Sequence, residues 1–414
     1  MFSENMNQIS LATNHLDSYE FTVAVNNFEV FLEQQYLHRS EQKSVQELLN
    51  DIFNEIVVIK NPLAAVIIVK LLTKVKFDDK VQKAIKISHH ISGIGFDQNP
   101  IYWLYLADVL EYLCRIIPKS MFQIFSTLYS NISKESNSQK IAELSLLFVS
   151  MMYSRFDEFV DKILTEETVL EIFKTGLQMN DVLNTTLYSL KRAVEPKKKE
   201  KIKNKFPLEK FSEILMKNAL SGKPELIDSA SDTISLLINI IPQSKRLFKF
   251  GSVPLHLLQS KETSLRLAGF KIILVCYECD PGLFDDDINR TIFKTYEMLI
   301  KKKTQNRNEA LMGFGSYIFA RKGNFNDEEL GEIFKCQKIV EESIDSDQAG
   351  YCYLALITNK SDTFENNIQL IYHLPLSLTL VDAFYKSSQI VPENKELLYN
   401  RIISMANIVL LDTK

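Results

Sequence analysis

Glycine and proline are both scarce in this chain, at 12 and 11 of 414 residues. That is roughly 3% each, where about 7% and 5% are usual. Tight turns draw on these two residues, so sandwiches, barrels and doubly wound sheets are disfavoured. Cysteine is thin as well: five, an odd number, at Cys114, Cys276, Cys279, Cys336 and Cys352. This spread points to a reducing compartment rather than a disulfide framework. The sequons at Asn131, Asn184, Asn289 and Asn359 are then expected to carry no glycan. A dominant charge is also missing, with 48 Lys+Arg against 52 Asp+Glu and a pI near 6.0. No whole-chain field exists to grip nucleic acid or an anionic membrane. Long apolar runs are absent too. The most apolar stretch, Ile56 to Val75, is interrupted by Lys60, Asn61, Pro62, Lys70 and Lys74, short of the about 20 apolar residues that a membrane span needs. Met1 to Asn14 is polar, without a basic region leading into an apolar one. A cytosolic protein is expected, with the nucleus as a second compartment.

What the chain does contain is helical periodicity. Hydrophobic residues make up 46% and charged residues 24%, the composition of a globular protein rather than a disordered one. Apolar residues recur at i, i+3, i+4, i+7 in Met121/Ile124/Phe125/Leu128, Leu144/Leu147/Phe148/Met151 and Ile234/Leu237/Ile238/Ile241. Leu183, Leu187, Leu190 and Val194 follow the i, i+4, i+7, i+11 variant. Strand-type alternation is not sustained anywhere, so the fold class is all-α.

The spacing of the stripes says more than their presence. Apolar helices centre near Val69, Leu110, Leu147, Leu187, Leu237, Ile272, Phe314 and Leu354. The intervals are roughly 35–42 residues, with one of about 50, against about 40–47 for armadillo and HEAT repeats. Such units cannot bury their stripes alone and must stack. The spacing predicts one α-solenoid over residues 1–414, with degenerate repeats forming a right-handed superhelix; an irregular helical array is the competing arrangement. The long interval coincides with a lysine-rich loop, 195–205, which separates N-terminal repeats (1–194) from C-terminal repeats (206–414). Asn61-Pro62, Asn99-Pro100, Lys223-Pro224 and Asp280-Pro281 punctuate unit starts.

Catalytic and metal motifs fail one by one. Cys276-Tyr-Glu-Cys279 has half-zinc or redox spacing, but no second ligand pair and no βαβ context accompany it, so both are expected to be helix filler. Asp345 to Gly350 opens like a calcium loop, yet Leu356 stands where the bidentate Glu belongs. Asp285-Asp286-Asp287 reads as a solvated helix start, favoured there by the helix dipole. Among His15, His38, His89, His90, His256 and His373 there is no HExxH. Gly93-Ile-Gly95 and Gly313-Phe-Gly315 are lone GxG fragments without a phosphate loop. No enzyme, cofactor, metal or small-molecule substrate is expected.

The basic runs Lys197 to Lys205 and Lys301-Lys302-Lys303 lack the interleaved aromatics of a nucleic-acid site, with only Phe206 nearby. They read as solvated loop and helix end, or as an address or acidic-partner patch.

One segment carries a resemblance. Phe206-Pro207-Leu208 opens a helix with Phe211, Ile214 and Leu215. Lys223 to Ile227 turns into Asp228 to Ile234, containing Asp232-Thr233, and Lys245-Arg246-Leu247-Phe248 follows. This order, together with Tyr351 to Leu356 and Asn359, resembles the proteasome non-ATPase regulatory subunit 5 family, armadillo/HEAT-type chaperones of proteasome base assembly. The resemblance implies a non-enzymatic solenoid that holds an ATPase subunit of the proteasome base through its C-terminal domain during regulatory-particle assembly. It carries over no contact residue. A generic armadillo/HEAT scaffold in transport or signalling is the alternative. If inner helices line a groove, Tyr188 and Arg192, opposite the Leu183/Leu187/Leu190 stripe, together with Asn239 and Arg266, are the expected partner contacts, since aromatic and Arg side chains dominate interface energetics.

Overall fold

The structure is a computed structural model that describes residues 2–13, 19–39, 54, 60–75, 79–195, 205–280, 282, 284–301, 307–342, 344–358, 364–371, 374, 377–391, 395–400 and 402–403. Among the described residues the regular elements are all helices, α-helices with short 3-10 turns between them. The chain is an α-solenoid of packed helical repeats in two compact units, Met1–Lys210 and Phe211–Lys414.

In the first unit, α1 (Phe2–Ala12) lies on α2 (Tyr19–Arg39) and on α3 (Pro62–Lys74). From α3 a row of mutually packed helices runs through α5 (Pro100–Ile116), α7 (Ser138–Arg155) and α10 (Leu183–Val194). Covering helices alternate with it in sequence: α4 (Lys80–Ile91), α6 (Met121–Ile132), the short α8 (Asp157–Ile163) and α9 (Glu166–Gln178). The row starts where side chains can satisfy the orphan amides of a helix N-terminus. Asn61 Oδ1 accepts from Ala64 N at 3.1 Å, Asn99 Oδ1 from Ile101 N at 2.9 Å and Asn137 Oδ1 from Lys140 N at 3.0 Å. Pro62 and Pro100 occupy the first turn, where no amide hydrogen is needed. Helix α7 is buried on every side from Ala142 to Tyr153, which is why its sequence is apolar all round instead of striped.

The α10 stripe differs in phase from the expectation. Thr186, Ser189, Leu190, Ala193 and Val194 are buried, while Leu183 and Leu187 are only half-buried. Helix α10 packs on both α7 and α9, and Thr186 sits so close to α9 that a Cβ on Gly176 would stand 2.3 Å from its Oγ1. Thr186 settles its hydroxyl on Val182 O at 3.0 Å, which makes its burial inexpensive.

The boundary between the units falls inside α11 (Leu208–Ala219). The second unit repeats the scheme. Its row is α12 (Pro224–Ile240), α14 (Thr263–Cys279), α16 (Arg307–Arg321), α18 (Asp347–Ile357) and α20 (Leu378–Ile390), each packed on the next. Covering it are α13 (Val253–Leu258), α15 (Asp286–Lys301) and α17 (Asp327–Glu341); α19 (Phe364–Ile368) lies against α18. Helix α18 is buried throughout from Ala349 to Ile357. Gly315 allows α16 to approach it, since a Cβ there would stand 2.7 Å from the Tyr351 ring. A buried polar network ties row to cover: Tyr277 and Tyr317 both donate to Asn289 Oδ1, at 2.5 and 3.1 Å, and Arg321 Nη1 donates to Tyr317 Oη at 3.1 Å.

Among the described residues no helix is long and apolar enough to cross a membrane. Residues 196–204, Lys302, Lys303 and Pro281, which figure in the sequence reading as basic runs and punctuation, lie outside the described residues.

Candidate functional site

The row of the second unit leaves one face of its helices uncovered. On α14 the residues Ser264, Leu267, Lys271, Leu274 and Glu278 repeat at three- and four-residue steps, hence on one face, and all are exposed or half-exposed. On α16 the matching face carries Glu309, Met312, Ser316 and Ala320. Between these faces lies a cavity of about 730 Å³, lined also by Pro224 and Asp228 of α12 and Gln348 of α18. A second cavity of about 580 Å³ continues it, with Glu278, Phe319, Lys322 and, from α20, Lys386 and Gln389. Leu274 and Ser316 line both, so the two form one groove. The first cavity joins the N-terminal halves of α14 and α16 and the second their C-terminal halves, so these helices run parallel and the groove follows their axes.

The charges of this groove are largely matched within it. Lys271 Nζ lies 3.2 Å from Asp228 Oδ1 and 3.9 Å from Asp232 Oδ1. Burial raises the pKa of Asp232 from its ordinary value, against the pull of Lys271. Lys386 Nζ reaches Asp382 at 2.7 Å and donates to Tyr351 Oη at 3.0 Å. Burial opposes its charge, but these hydrogen bonds outweigh that and lift its pKa. Glu278 is pushed up by burial and partly relieved by a hydrogen bond from Ser235. Neither Glu278 nor Glu309 has a described cation within ion-pair distance. Lys322, at the groove edge, adopts the left-handed region at φ 49°, ahead of Gly323 at 79°, which is uncommon for a residue with a side chain.

The expected contacts fall elsewhere. Arg192 Nη1 donates to Tyr188 Oη at 3.3 Å, with the guanidinium 5.8 Å from the ring centroid, so the two form a half-buried pair on α10. Asn239 is exposed near the end of α12. Arg266 closes the turn before α14: Nη1 donates to Ser260 O at 2.7 Å and Lys261 O at 2.9 Å, and Nη2 to Thr263 Oγ1 at 2.8 Å. Neither Asn239 nor Arg266 lines the groove. The signal that finds its residues is the non-core face of α14, Ser264 to Glu278. It is faint in sequence because α14 is apolar on most of its circumference.

The first unit differs in how its row handles charge. Lys70 pairs with Asp108 and stacks 4.5 Å over Tyr105. Arg155 reaches Glu111 at 2.5 Å and Asp108 at 3.7 Å, and Lys74 reaches Glu29 at 2.9 Å. The acids and bases there satisfy one another across α2, α3, α5 and α7.

The other motifs resolve into packing and capping. Both CxxC thiols sit on α14, with Cys276 buried. Burial and the Glu278 carboxylate push the Cys279 thiol up to about 12, so it stays protonated at neutral pH. Asp285 Oδ1 caps α15 by accepting from Ile288 N at 2.9 Å. Ser346, within the calcium-like run, caps α18. The described histidines are absent from the groove lining, so no hydroxyl there is paired with a histidine base. Among the described residues, no three His, Cys, Asp or Glu side chains converge to hold a metal ion. Carboxylates, amides, hydroxyls and an apolar floor suit a binding surface.

No family model and no curated protein matches the chain. Among solved structures, the crystal structure of an engineered protein aligns over 95% of this chain and 98% of its own, at 12% identity and a TM-score of 0.34.

Proposed function

We propose that this chain is a non-enzymatic, protein-binding α-solenoid acting in the cytosol or nucleus, whose partner seats in the groove of the second unit. The observation that carries this reading is the open face of α14 and α16, where Leu267, Leu274 and Met312 remain accessible beside Glu278 and Glu309, two carboxylates without a paired cation among the described residues. Stacked repeats offer extended surface of this kind without a reaction pocket.

The partner proposed is an ATPase subunit of the proteasome base. Support comes from residues 206–248 and 351–359, which resemble the subunit 5 assembly chaperones. The action is steric: a chaperone on the ATPase blocks premature docking to the proteolytic core and leaves when core binding wins. A tagged chain captured natively from its own cells, with partners identified by mass spectrometry, tests this. Proteasome ATPases recovered without the core support the assembly role, and a partner list lacking them removes it. A scaffold or adaptor addressed by the lysine run 195–205 is the second reading, and it requires that deleting the run abolish partner binding or nuclear entry.

A further inference from the structure

The groove face has a direction and, among the described residues, two carboxylates without an ion pair, and these together describe an occupant. From Ser264 to Glu278 it follows α14 for about 21 Å at 1.5 Å per residue. Its apolar points, Leu267 and Leu274, stand seven residues apart on that face, with Met312 of α16 opposite them in the same cavity. Three carboxylates (Asp228, Glu278 and Glu309) and three lysines (Lys271, Lys322 and Lys386) line the groove, and two of those lysines are already held, Lys271 by Asp228 and Asp232 and Lys386 by Asp382. Among the described residues this leaves two carboxylates without an ion pair, against Lys322 at the groove edge, and the two lie at opposite ends: Glu309 in the first turn of α16 and Glu278 in the last turn of α14. The first unit shows how these repeats otherwise close such charges, through the Lys70–Asp108 and Arg155–Glu111 pairs.

We infer that this groove takes a basic amphipathic helix of the partner protein, about four turns long, laid along α14 and α16. Its apolar stripe covers Leu267, Leu274 and Met312, and Lys or Arg side chains near its two ends meet Glu309 and Glu278. An apolar i/i+7 stripe on a helix meets contact points that recur every two turns, the geometry by which grooves between helices receive amphipathic helices. The inference rests on the reading of the chain as a protein-binding solenoid and specifies the chemistry of what it binds.

The test uses the full chain and two fluorescent designed peptides of about 18 residues. Both carry the same leucine stripe; one has lysines near both ends and the other glutamates at those positions. Anisotropy titration at low salt should show the lysine peptide binding at least about tenfold more tightly, with the difference shrinking as salt rises. The double variant E278K/E309K changes two exposed positions and should reverse the order of the two peptides. Equal affinities for the wild-type chain, or an order that the double variant leaves unchanged, overturns the inference. Native capture with the same variant separates this failure from that of the functional reading. If the wild-type chain captures ATPase subunits and E278K/E309K captures them equally, the binding function stands and the groove assignment falls. If the wild-type chain captures none, the proteasome reading falls, while the peptide order still decides the groove.

Discussion

Arg321 and Glu329 form a two-pronged ion pair, Nη1 to Oε1 at 2.7 Å and Nη2 to Oε2 at 2.9 Å, with side chains only 10% and 6% exposed. The pair joins the end of α16 to the start of α17. Glu329 Oε2 also accepts from Asn326 N at 2.8 Å while Asn326 Oδ1 accepts from Glu329 N at 2.9 Å, a reciprocal capping box. Arg321 in turn stacks 4.6 Å from the Phe325 ring. Glu329→Ala strands a buried guanidinium and opens the cap together, and breaking such a pair by removing one partner costs about 3–5 kcal/mol. The lower end is expected, because Asn324 O still accepts from Arg321 at 2.6 Å. Urea unfolding checks this, and a loss below about 1 kcal/mol would reduce the pair to the value of a surface bridge.

Two glycines should respond in opposite directions. A Cβ on Gly315 would stand 2.7 Å from Tyr351 Cδ1 and 3.0 Å from Cys352 Cα, whereas a Cβ on Gly331 of α17 meets nothing within 4 Å. Gly315→Ala overpacks the α16–α18 contact and should cost about 1–3 kcal/mol. Gly331→Ala should stabilise by about 0.5–1 kcal/mol through helix propensity and a less free unfolded chain. Paired thermal melts read both signs against the same wild type.

Lys83 places an amine at the end of α3, where Nζ donates to Thr73 O at 3.1 Å and Val75 O at 2.6 Å. Burial, with a smaller push from Lys80, brings its pKa down to about 8. The unfolded chain, with a lysine near about 10.4, binds this proton more tightly. Folding is therefore penalised below about pH 8, and the penalty lifts as pH rises from about 8 to about 10.4. Stability measured from pH 7 to 10 should climb for the wild type relative to Lys83→Met, and parallel curves would refute the assignment.

Thiol chemistry offers a fourth check. Cys276, Cys336 and Cys352 are buried, and burial raises all three thiols. Cys279 and Cys114 are half-buried and pushed up to about 12 and about 11. The folded protein at pH 7.5 should react slowly with an aromatic disulfide reagent, and all five thiols should react in denaturant. Rapid native labelling of Cys276 together with Cys279 would restore the redox reading of that pair.

The helical class and the repeat rhythm were legible in the residues. Val69, Leu110, Leu147, Leu187, Leu237, Ile272, Phe314 and Leu354 all fall on the row helices α3, α5, α7, α10, α12, α14, α16 and α18. The physical reason is that row helices are enclosed by neighbours on most sides, so they are the most apolar segments and recur once per repeat. Asn61-Pro62, Asn99-Pro100 and Lys223-Pro224 begin three of them, because capping and a missing amide hydrogen act locally.

The groove was not legible, and neither was the α10 phase. Leu187 stays half-buried while Thr186 and Ser189 are enclosed, a matter of how near the neighbouring helices lie rather than of hydrophobicity. Arg266 spends its guanidinium on its own turn, whereas Asp228, Lys271, Ser316 and Lys386 face a shared groove from four helices. Local periodicity determines that a helix forms and which positions tend inward. Which exposed faces meet depends on stacking between repeats far apart in the chain, so only the tertiary structure decided which faces Glu278 and Glu309 share with Leu267, Leu274 and Met312.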